Sequence, residues 1–477
     1  MFNVKPKYIK QVSFASKLFP KLRSPVGIEL EKLKSSDEFD GEIFCGGRSK
    51  NKDLLTFFGF IHDPKSGCAA FTQLPTFRRS LKKLVNLVEQ EIESIGAQEI
   101  LIPTLVLQEL WRKSGRLARQ PSALDHTYKL SDGNRNELLL GPTFEESITQ
   151  MIADYDSICE PELPILLYQT SPKFRFEPTP RFGLIRSNEF LMNDLYTFDA
   201  NFDNAVKTYD LVTNVYERIF DRLGLKCKRV QGGTGEIGGD YSHEYQLPVS
   251  SGEDTIVECP RCGRITNVEI FASKTANSST ICPDCGETKT RRVQTIELGH
   301  TFLLSDIYSA PFKATYISKE GGKRIGYQMG CYGLGLTRIL GAGIDLLSKV
   351  SSSGQSNNPL QIRWPSEIEP YKIGLVIPAK RSKQNQAGST EFVQRLLDEM
   401  LESSYNADIL IEDRDKEGIG RRLMKLQAIG IPNIIVVGQR FLEDPPEVEL
   451  LRLDSQKTNY EQCWLTKDQI CDYLRKI

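Results

Sequence analysis

Two arginines between residues 173 and 190 are spaced to bind a polyphosphate. This stretch alternates charged and apolar residues, breaks at two prolines and a glycine, and then resumes, which is typical of strand, loop and strand. Arg175 and Arg186 flank the loop, with Glu177 beside the first arginine and Phe190 at the end. A guanidinium group binds phosphate or carboxylate through two parallel hydrogen bonds, and an aromatic ring can stack on a base. The alternative is a surface hairpin whose charges are solvated.

A pair of acidic residues follows a second predicted strand. The run Leu-Leu-Leu-Gly-Pro at residues 138–142 indicates a buried strand and its end, and Thr143, Glu145 and Glu146 come directly after it. Glu145 is a candidate to hold a substrate ammonium group through a charge-assisted bond. The alternative is structural, because Thr143 and Glu146 match the spacing of a helix capping box.

A glycine-rich run contains Gly233, Gly235 and Gly238 in the G-x-G-x-x-G spacing of dinucleotide sites. Such a site requires a helix after the glycines. The residues that follow are aromatic and typical of an extended strand, so we reject a dinucleotide site. The same run holds His243, for which a hydrogen-bonded structural histidine is the alternative to a binding role.

Four cysteines form two C-x-x-C pairs separated by nineteen residues, Cys259 with Cys262 and Cys282 with Cys285. This spacing is typical of tetrahedral zinc coordination. Four thiolate ligands leave no open position on the metal, so the predicted role is structural. The alternative is a ribbon that has lost its metal.

A carboxylate and an arginine mark the last part of this region. Glu297 is a candidate Mg²⁺ ligand, since hard cations prefer carboxylate oxygen, with an ordinary surface glutamate as the alternative. Gly333 and Gly335 would let the backbone approach a ligand closely. Arg338 follows on an apolar helix, where an arginine requires a buried partner. Cys331 is either a pocket residue or a small buried hydrophobe.

The composition is that of a globular protein of two or three domains. The chain has 477 residues, 39% hydrophobic and 26% charged, with a net charge of −1. A nucleic-acid partner would therefore need local basic patches. No apolar run approaches the ~20 residues of a membrane span. The eleven cysteines, an odd number, suit a reducing compartment better than a disulfide framework.

The elements that position these residues are a long helix and two groups of strands. Apolar residues at helical spacing run from Leu81 to Ile95, after Pro75, and the run at 99–105 then predicts a strand that ends at Pro103. A Ser/Gly/Asn-rich stretch opens a linker at 351–369. Three apolar strand-like runs after it alternate with helical stretches, which predicts an α/β domain. Its basic residues Arg414, Arg421, Arg422 and Lys425 are candidate RNA contacts or, alternatively, solvated charges.

Together these motifs resemble the class II aminoacyl-tRNA synthetases over about residues 55–477. The helix and strand before residue 105 resemble their motif 1, which builds a dimer interface. The arginine hairpin resembles motif 2, and the G-x-G-x-x-R run ending at Arg338 resembles motif 3. The run Gly-Pro-Thr-Phe-Glu-Glu resembles the proline pocket of prolyl-tRNA synthetases, which commonly have His where this chain has Phe144.

The resemblance implies a role for each candidate residue. Arg175 would contact the α-phosphate and the proline carboxylate, and Arg338 the γ-phosphate. The implied ATP-binding residues are Arg175, Glu177, Arg186, Phe190, Gln231, Thr234, Glu297, Gly333, Gly335 and Arg338. The implied proline-binding residues are Thr143, Glu145, Arg175, His243 and Cys331.

The fold implied is an α+β catalytic domain at 55–350, an antiparallel sheet flanked by helices. A small zinc-ribbon-like insert would occupy 248–296, and an α/β anticodon-binding domain 370–477. Bacterial prolyl enzymes carry a large editing domain where this insert lies. Only about fifty residues separate His243 from Glu297, so we expect no hydrolytic proofreading in this chain.

The activity implied is that of the mitochondrial members of this family. They join proline to tRNA(Pro) with ATP and Mg²⁺, as homodimers. The first 28 residues carry six basic and no acidic residues, which predicts a transit segment to the mitochondrial matrix, with an ordinary basic tail as the alternative. Two other functions remain open. One is a threonyl-like class II synthetase, and the other is a non-catalytic accessory subunit that binds nucleic acid.

Overall fold

The computed structural model describes residues 11–18, 50–64, 68–133, 136–155, 157–178, 183–249, 252–274, 281–348, 361–380, 382–386, 388–402, 408–454 and 459–475. Within them the strands are β1 (Val12–Phe14), β2 (Ile61–His62), β3 (Thr72–Gln73), β4 (Gln98–Glu99), β5 (Leu105–Leu107), β6 (Lys129–Ser131), β7 (Glu137–Leu140), β8 (Ile165–Phe174), β9 (Glu189–Asp199), β10 (Lys228–Gly232), β11 (Tyr241–Pro248), β12 (Asp254–Glu258), β13 (Ile265–Asn267), β14 (Arg291–Ser305), β15 (Thr315–Ile317), β16 (Arg324–Gly326), β17 (Gln328–Gly335), β18 (Ile373–Val376), β19 (Ile409–Glu412), β20 (Asn433–Val436), β21 (Glu447–Leu453) and β22 (Tyr460–Thr466). The α-helices are α1 (Lys50–Phe57), α2 (Pro75–Glu93), α3 (Gln108–Lys113), α4 (Arg116–Arg119), α5 (Glu145–Asp154), α6 (Phe202–Leu223), α7 (Val268–Lys274), α8 (Ser309–Phe312), α9 (Leu336–Leu347), α10 (Lys383–Gln386), α11 (Ser389–Glu402), α12 (Ile419–Ala428) and α13 (Lys467–Leu474).

The larger domain is built on a nine-stranded sheet in the order β11-β10-β13-β12-β14-β17-β9-β8-β4, with β11 also pairing with β14. Its central pairs are antiparallel, whereas β4 with β8 and β10 with β13 are parallel. The apolar faces of α2, α6 and α9 pack on one side of this sheet and form the main core. The expectation of an antiparallel sheet flanked by helices is confirmed.

The central strands divide their side chains between two faces because successive residues of a strand point to opposite sides. Leu195 of β9, Tyr332 of β17 and Leu303 of β14 face the helices and belong to the main core. Their neighbours Cys331 and Phe302 join a separate core on the other side. The residues that alternate with those of the main core therefore face the side of the sheet that α2, α6 and α9 do not cover.

The arginine hairpin forms as the sequence predicts. β8 and β9 are antiparallel, with Lys173 opposite Phe190 and Phe174 opposite Glu189. The pairing extends one step further, since the Arg175 amide donates to the Asn188 carbonyl at 2.9 Å. This places both ends of the hairpin loop at the edge of the open face.

The predicted motif 1 elements are confirmed only in part. The long helix α2 begins at Pro75, as expected. The strand expected at 99–105 is shorter, since β4 covers only Gln98–Glu99. Pro103 has no amide proton to donate to a ladder, and the Ile102 amide is bound by the side chain of Gln169 at 3.1 Å instead of by a strand.

The C-terminal domain is a six-stranded mixed sheet in the order β1-β19-β18-β20-β21-β22. β18, β19 and β20 are parallel, and β21 and β22 are antiparallel additions. Helices α11 and α13 pack their apolar residues against the sheet. The predicted α/β domain with a mixed or parallel sheet is therefore present.

The edge strand of this sheet comes from the N-terminus of the chain. β1 runs parallel to β19, with Val12 opposite Ile409. Ser16 donates two hydrogen bonds to Asp413, from its amide at 2.8 Å and its hydroxyl at 2.6 Å. Ala15 is fully buried. This part of the predicted transit segment at 1–28 is thus a strand of the C-terminal domain, and the rest of that segment lies outside the described residues.

The second half of the predicted linker is packed into the core. Ile362 and Trp364 are buried. The indole of Trp364 donates to the Ile429 carbonyl at 2.7 Å, and its ring lies 5.0 Å from that of Phe60. Residues 351–360 lie outside the described residues. Residues 361–369 therefore join the two domains by burial rather than as a solvated spacer.

Candidate active site

A cleft of about 230 Å³ lies on the open face of the large sheet. Eight residues predicted from the sequence line it, which are Thr143, Arg175, Phe190, Glu297, Cys331, Gly333, Gly335 and Arg338. They come from six elements and connections spread over almost two hundred residues. The sheet register brings them together because β9, β14 and β17 are neighbours.

Two arginines give the cleft a positive interior. Arg175 is half-buried, and its guanidinium carbon lies 5.3 Å from the centre of the Phe190 ring. Arg338, in the first turn of α9, donates to the carbonyls of Ile185 at 2.8 Å and Glu297 at 2.9 Å. Burial, and then the positive charge of Arg338, lower the pKa of the Arg175 guanidinium. An anion bound between two such cations would relieve their repulsion.

The floor of the cleft hides an ionised carboxylate. Glu145 is fully buried behind Thr143 and Cys331, which donate to it at 2.7 and 3.0 Å. Burial raises the pKa of Glu145, but the charge of Arg116 and these hydrogen bonds outweigh it and hold the pKa below its ordinary value. The capping-box alternative for Thr143 is wrong, because α5 begins at Glu145 with Phe144 as its N-cap residue.

Glu297 is the second ionised carboxylate of the cleft. Its Oε1 lies 2.9 Å from the Nδ1 of His300, and its Oε2 lies 3.8 Å from the Nη1 of Arg338. Burial raises the pKa of Glu297, but His300, Arg338 and Arg175 more than offset this and lower it to about 2. An oxygen ligand that stays charged at neutral pH is what a hard cation requires.

Glu177 and Arg186 lie outside the lining of the cleft. Arg186 donates to Glu177 at 2.8 Å and to Glu253 at 2.9 Å, and its side chain is 47% exposed. The two residues therefore form an ion-paired cluster on the hairpin rather than a surface of the cavity.

The glycine-rich segment approaches the cleft through Ile237, which lines it. Gln231 is on β10, where its side chain accepts from Arg264 at 3.3 Å, and Thr234 begins a turn closed by the Gly238 amide at 2.9 Å. Gly239 has φ +105°, and a Cβ there would lie 2.4 Å from the Leu303 carbonyl. The segment continues into β11 and not into a helix, which agrees with the rejection of a dinucleotide site.

His243 is not brought into the cleft. It lies opposite Thr301 on β14, so its side chain points to the helix side of the sheet. Its Nδ1 lies 2.7 Å from the hydroxyl of Tyr209 on α6, and burial lowers the pKa of the imidazole. The structural alternative describes this histidine better than a place beside the substrate.

Comparisons with known proteins agree with this geometry. The profile of the tRNA synthetase class II core domain (G, H, P, S and T) matches residues 128–346, and that of the anticodon binding domain matches 375–477. A probable mitochondrial proline–tRNA ligase of Rattus norvegicus is 40% identical over 455 residues, 95% of this chain and 90% of the relative. The Homo sapiens relative is 37% identical over 462 residues, 96% and 91% of the two chains. The chain belongs to the proline–tRNA ligases.

More distant relatives share the same activity and fold. The proline–tRNA ligase of Anaplasma phagocytophilum is 32% identical over 418 residues, 83% of this chain and 91% of the relative. The Giardia lamblia prolyl-tRNA synthetase in complex with prolyl-adenylate has a similar fold, with a TM-score of 0.68 at 18% identity over 89% of this chain and 78% of that chain. The chain is therefore an aminoacyl-tRNA synthetase that acts on proline, ATP and tRNA, and the threonyl-like and accessory-subunit alternatives are not supported. No helix among the described residues combines the length and the apolar character needed to cross a membrane.

The four cysteines of this ligase form a compact cluster. Their sulfur atoms all lie within 4.8 Å of one another, with Cys259 and Cys285 at 3.5 Å and Cys262 and Cys282 at 3.7 Å. A tetrahedral zinc with Zn–S bonds of about 2.3 Å requires sulfur separations of about 3.8 Å. The donor set therefore fits such an ion.

Each C-x-x-C pair forms the same tight turn. The Gly263 amide donates to the Cys259 carbonyl at 3.0 Å, and the Gly286 amide to the Cys282 carbonyl at 2.9 Å. Both glycines have φ +74°, a left-handed conformation that other residues adopt only with strain. The repeated sequence Cys-Pro-x-Cys-Gly is the local signal for this turn.

The basic residues expected to contact RNA in the C-terminal domain are mostly internal. Arg422 is buried and donates to the carbonyls of Ile377 at 2.7 Å and Glu412 at 3.1 Å. Arg414 is paired with Glu412, and Lys425 donates to Glu417 at 2.6 Å. Of these four, only Arg421 is exposed. Arg414, Arg422 and Lys425 form contacts within the domain. They therefore fit neither a role in RNA contact nor that of solvated surface charges.

Sequence reasoning missed several residues that line the cleft, namely Met192, Asp194, Ile237, Leu298, Gly299, His300 and Phe302. Met192 and Asp194 follow from Phe190 by strand alternation, so that signal was available. Strand alternation could not predict His300 and Phe302, because an irregularity in the pairing of β11 with β14 changes which residues of β14 face the cleft.

Proposed function

We propose that this cleft forms prolyl-adenylate and then transfers proline to tRNA(Pro), with Arg175 and Arg338 as the pair that binds the phosphates. The observation that carries the proposal is their convergence. Both line one cavity with Thr143 and Cys331, directly in front of the buried carboxylate of Glu145. A site for an anion thus adjoins a site for an ammonium group, and proline with ATP presents both.

The reaction needs positioning and charge stabilisation more than proton transfer. A carboxylate oxygen of proline attacks the α-phosphorus of ATP, and the bond to the bridging oxygen breaks to release pyrophosphate. A ribose hydroxyl at the 3′ end of the tRNA then attacks the prolyl carbonyl, and AMP leaves with the bonding electrons. The first nucleophile is already ionised, so preorganised cations are the main requirement.

On the proline side, Thr143, Glu145 and Cys331 form the proposed ammonium site. Glu145 contributes the negative charge, and the other two contribute the polar wall of the cleft. Arg175 binds the proline carboxylate and the α-phosphate. His243 is left out of this assignment because its side chain lies on the opposite side of the sheet.

On the ATP side, Phe190 supplies a face for adenine, and Gly333 and Gly335 supply close backbone approach. Arg338, at the N-terminus of α9, suits the outer phosphates because helix N-termini favour anions. Gln231, Thr234, Glu177 and Arg186 are assigned to the rim. From there Arg186 reaches phosphate only by leaving its carboxylate partners.

We assign Glu297 as the protein ligand of Mg²⁺. Its low pKa and its place in the cleft fit a hard cation. A bound Mg²⁺ would neutralise charge on the phosphates. His300 holds one carboxylate oxygen through its ring nitrogen, which fixes the orientation of the group.

We assign the four-cysteine cluster to a structural Zn²⁺. The sulfur separations support this, as do the two identical turns that carry the thiols. All four donors are cysteine, so the ion would have no open position for substrate.

We propose that the protein is a homodimer, with the segment after α2 at the interface. Large apolar side chains are exposed there, with Leu101 at 80%, Leu105 at 53% and Leu107 at 47%. Such a patch on a globular protein marks an interaction surface. Analytical ultracentrifugation tests this, and a monomer at micromolar concentration would exclude it.

The mitochondrial matrix is the proposed location. The relatives of Rattus norvegicus and Homo sapiens are named mitochondrial, and the first 28 residues are basic and free of acidic residues. Fusion of this segment to a fluorescent protein tests the signal, and a diffuse distribution would contradict it.

The function is tested by proline-dependent ATP–pyrophosphate exchange. We expect Arg175→Ala to lower the exchange rate by about 10²–10³-fold, because a cation that stabilises developing charge is lost. Arg218→Ala, an exposed arginine on α6 paired with Glu91, is the matched control and should retain activity. Wild-type-like exchange in Arg175→Ala would remove the proposed site. Exchange by the wild type with another amino acid would instead overturn the assignment of the pocket.

A further inference from the structure

Two adjacent buried carboxylates share one guanidinium behind the floor of the cleft. Glu145 and Glu146 both have side chains at most 1% exposed, and Arg116 has a side chain 2% exposed. Arg116 Nη2 donates to Glu145 Oε2 at 2.9 Å, and its Nε lies 2.8 Å from Glu146 Oε1. A single cation therefore lies between two anions in a place that water does not reach.

The remaining contacts of Arg116 hold it in this position. Its guanidinium lies over the ring of Trp111 at 4.6 Å and donates to the hydroxyl of Tyr308 at 2.8 Å. That hydroxyl in turn donates to the carbonyl of Ile237, a residue that lines the cleft. The arginine does not itself line the cavity, so it acts on the substrate only through other groups.

The charges of Glu145, Glu146 and Arg116 do not cancel among these three residues, although Lys173 and Arg175 also act on Glu145 electrostatically. Burial raises the pKa of Glu146, and the charge of Arg116 opposes this shift while that of Glu145 adds to it. With both carboxylates ionised, the two carboxylates and one guanidinium sum to −1, and the ammonium group of proline would bring the total to zero. A buried uncompensated charge is costly, so the cluster favours a cationic ligand at the Glu145 side of the floor. Without Arg116 the cluster would carry −2, and two neighbouring carboxylates cannot both remain ionised in such a site.

We propose that Arg116 is a positioning residue for proline recognition: it neutralises Glu146 so that the charge of Glu145 is left for the prolyl ammonium group. The proposal rests on the assignment of Glu145 to the ammonium site. The new element is the charge of Arg116, which leaves the charge of Glu145 for the ammonium group. This charge should therefore determine the affinity for proline and not the affinity for ATP.

The test is a charge-rescue cycle measured by ATP–pyrophosphate exchange. We expect Arg116→Met to raise the KM for proline at least about tenfold and to leave the KM for ATP within about twofold, because the ATP side keeps its own arginines. Glu146→Gln should raise the KM for proline by about threefold, since Arg116 then neutralises Glu145 instead. The double variant restores the net charge of −1, and its KM for proline should return to within about threefold of wild type.

A pH profile separates this role from a merely structural one. In Arg116→Met the two carboxylates share a proton, so the KM for proline should fall as pH rises from 6.5 to 8.5, whereas the wild-type value should stay flat. The double variant keeps the test valid if the single variant does not fold. Equal losses for proline and ATP, with no rescue by Glu146→Gln, would overturn the proposal. Absence of proline exchange in the wild type would instead overturn the function on which it rests.

Discussion

Single side chains in this cleft hold their charge before any ligand is bound. Arg338 is fixed by two backbone carbonyls, and Glu145 is fixed by donors from Thr143 and Cys331. Groups fixed in this way pay little reorganisation when a charged substrate arrives, which is the main source of catalysis in a reaction without a strong base.

The placement of His243 leads to a prediction at the same scale. His243→Asn should leave the KM for proline within about twofold and destabilise the fold by about 1 kcal/mol, because the Tyr209 hydroxyl loses one partner and keeps its bond to the Thr301 hydroxyl. Pyrophosphate exchange and thermal unfolding measure the two effects. A tenfold rise in the KM would place the histidine at the substrate after all.

The pH dependence of this destabilisation follows from the pKa of His243, which burial lowers in the folded state. Below the unfolded pKa of about 6.5, the unfolded chain binds the proton more readily than the folded one, so the wild type loses stability as pH falls through that value. The asparagine variant has no such loss. The difference in Tm between the two proteins should therefore be largest near pH 8 and should narrow towards pH 5.

Residue types and spacing were sufficient to find the groups that carry charge into the cleft. Arg175, Glu297 and Arg338, which the motifs indicate, all line one cavity. Arg116 could not be found, because its importance comes from contacts with residues 29 and 30 positions later in the chain, which no local pattern encodes. His243 was misplaced because a strand motif does not reveal which face of the sheet a residue occupies.

At the scale of elements, the cysteine insert is part of the catalytic sheet rather than an appendage. β12 pairs with β14, and β13 pairs with β10 at the position of Gln231. Arg264, which follows the first cysteine turn, is paired with Asp284 of the second turn and donates to Gln231 at 3.3 Å. The cluster is thus connected to the rim residue assigned to ATP.

This connection predicts how loss of the metal changes the kinetics. Cys285→Ser should remove one zinc per chain and raise the KM for ATP more than that for proline, because Gln231 loses its support. Elemental analysis and exchange kinetics measure both. Cys463→Ser, an exposed cysteine on β22, is the matched control. Four freely titratable thiols in metal-replete wild-type protein would contradict the assignment.

Long helices and long strands were predictable because their hydrophobic periodicity extends over many residues. α2, α6 and β9 appear as expected. The strand predicted in the apolar run at 99–105 is shorter in the structure, because Pro103 has no amide proton to donate to a neighbouring strand. The predicted linker at 351–369 includes residues that belong to the core. Sequence pattern could not show this, because Trp364 is buried against Phe60 and Ile429, which are distant in the chain.

At the scale of the molecule, strand β1 and the C-terminal domain share one sheet. β1 forms the edge of the C-terminal sheet, and Arg79 and Lys83 of α2 both pair with Asp408 at the start of β19. The Ser80 hydroxyl also donates to the Ile368 carbonyl at 2.6 Å. The helix that resembles motif 1 is therefore anchored directly to the anticodon-binding domain.

Deletion of the N-terminal strand tests its contribution. Removal of residues 1–18 should destabilise the C-terminal domain by about 3 kcal/mol, since burial of Val12 and Ala15 and the β1–β19 hydrogen bonds are lost. Removal of residues 1–10 is the control and should leave the Tm unchanged. Equal Tm values for the two deletions would show that β1 adds nothing. Our expectation places any processing of the N-terminus before Gln11.

The pairing of β1 with β19 also imposes an order in time. Synthesis makes Val12–Phe14 nearly four hundred residues before its partner strand, Ile409–Glu412. Until then the strand has no partner, and its basic surroundings are open to any receptor or protease that recognises an extended segment. After the sheet closes, the same residues are hydrogen-bonded and partly buried. The order of synthesis thus leaves an interval in which this segment can be recognised before β19 pairs with it.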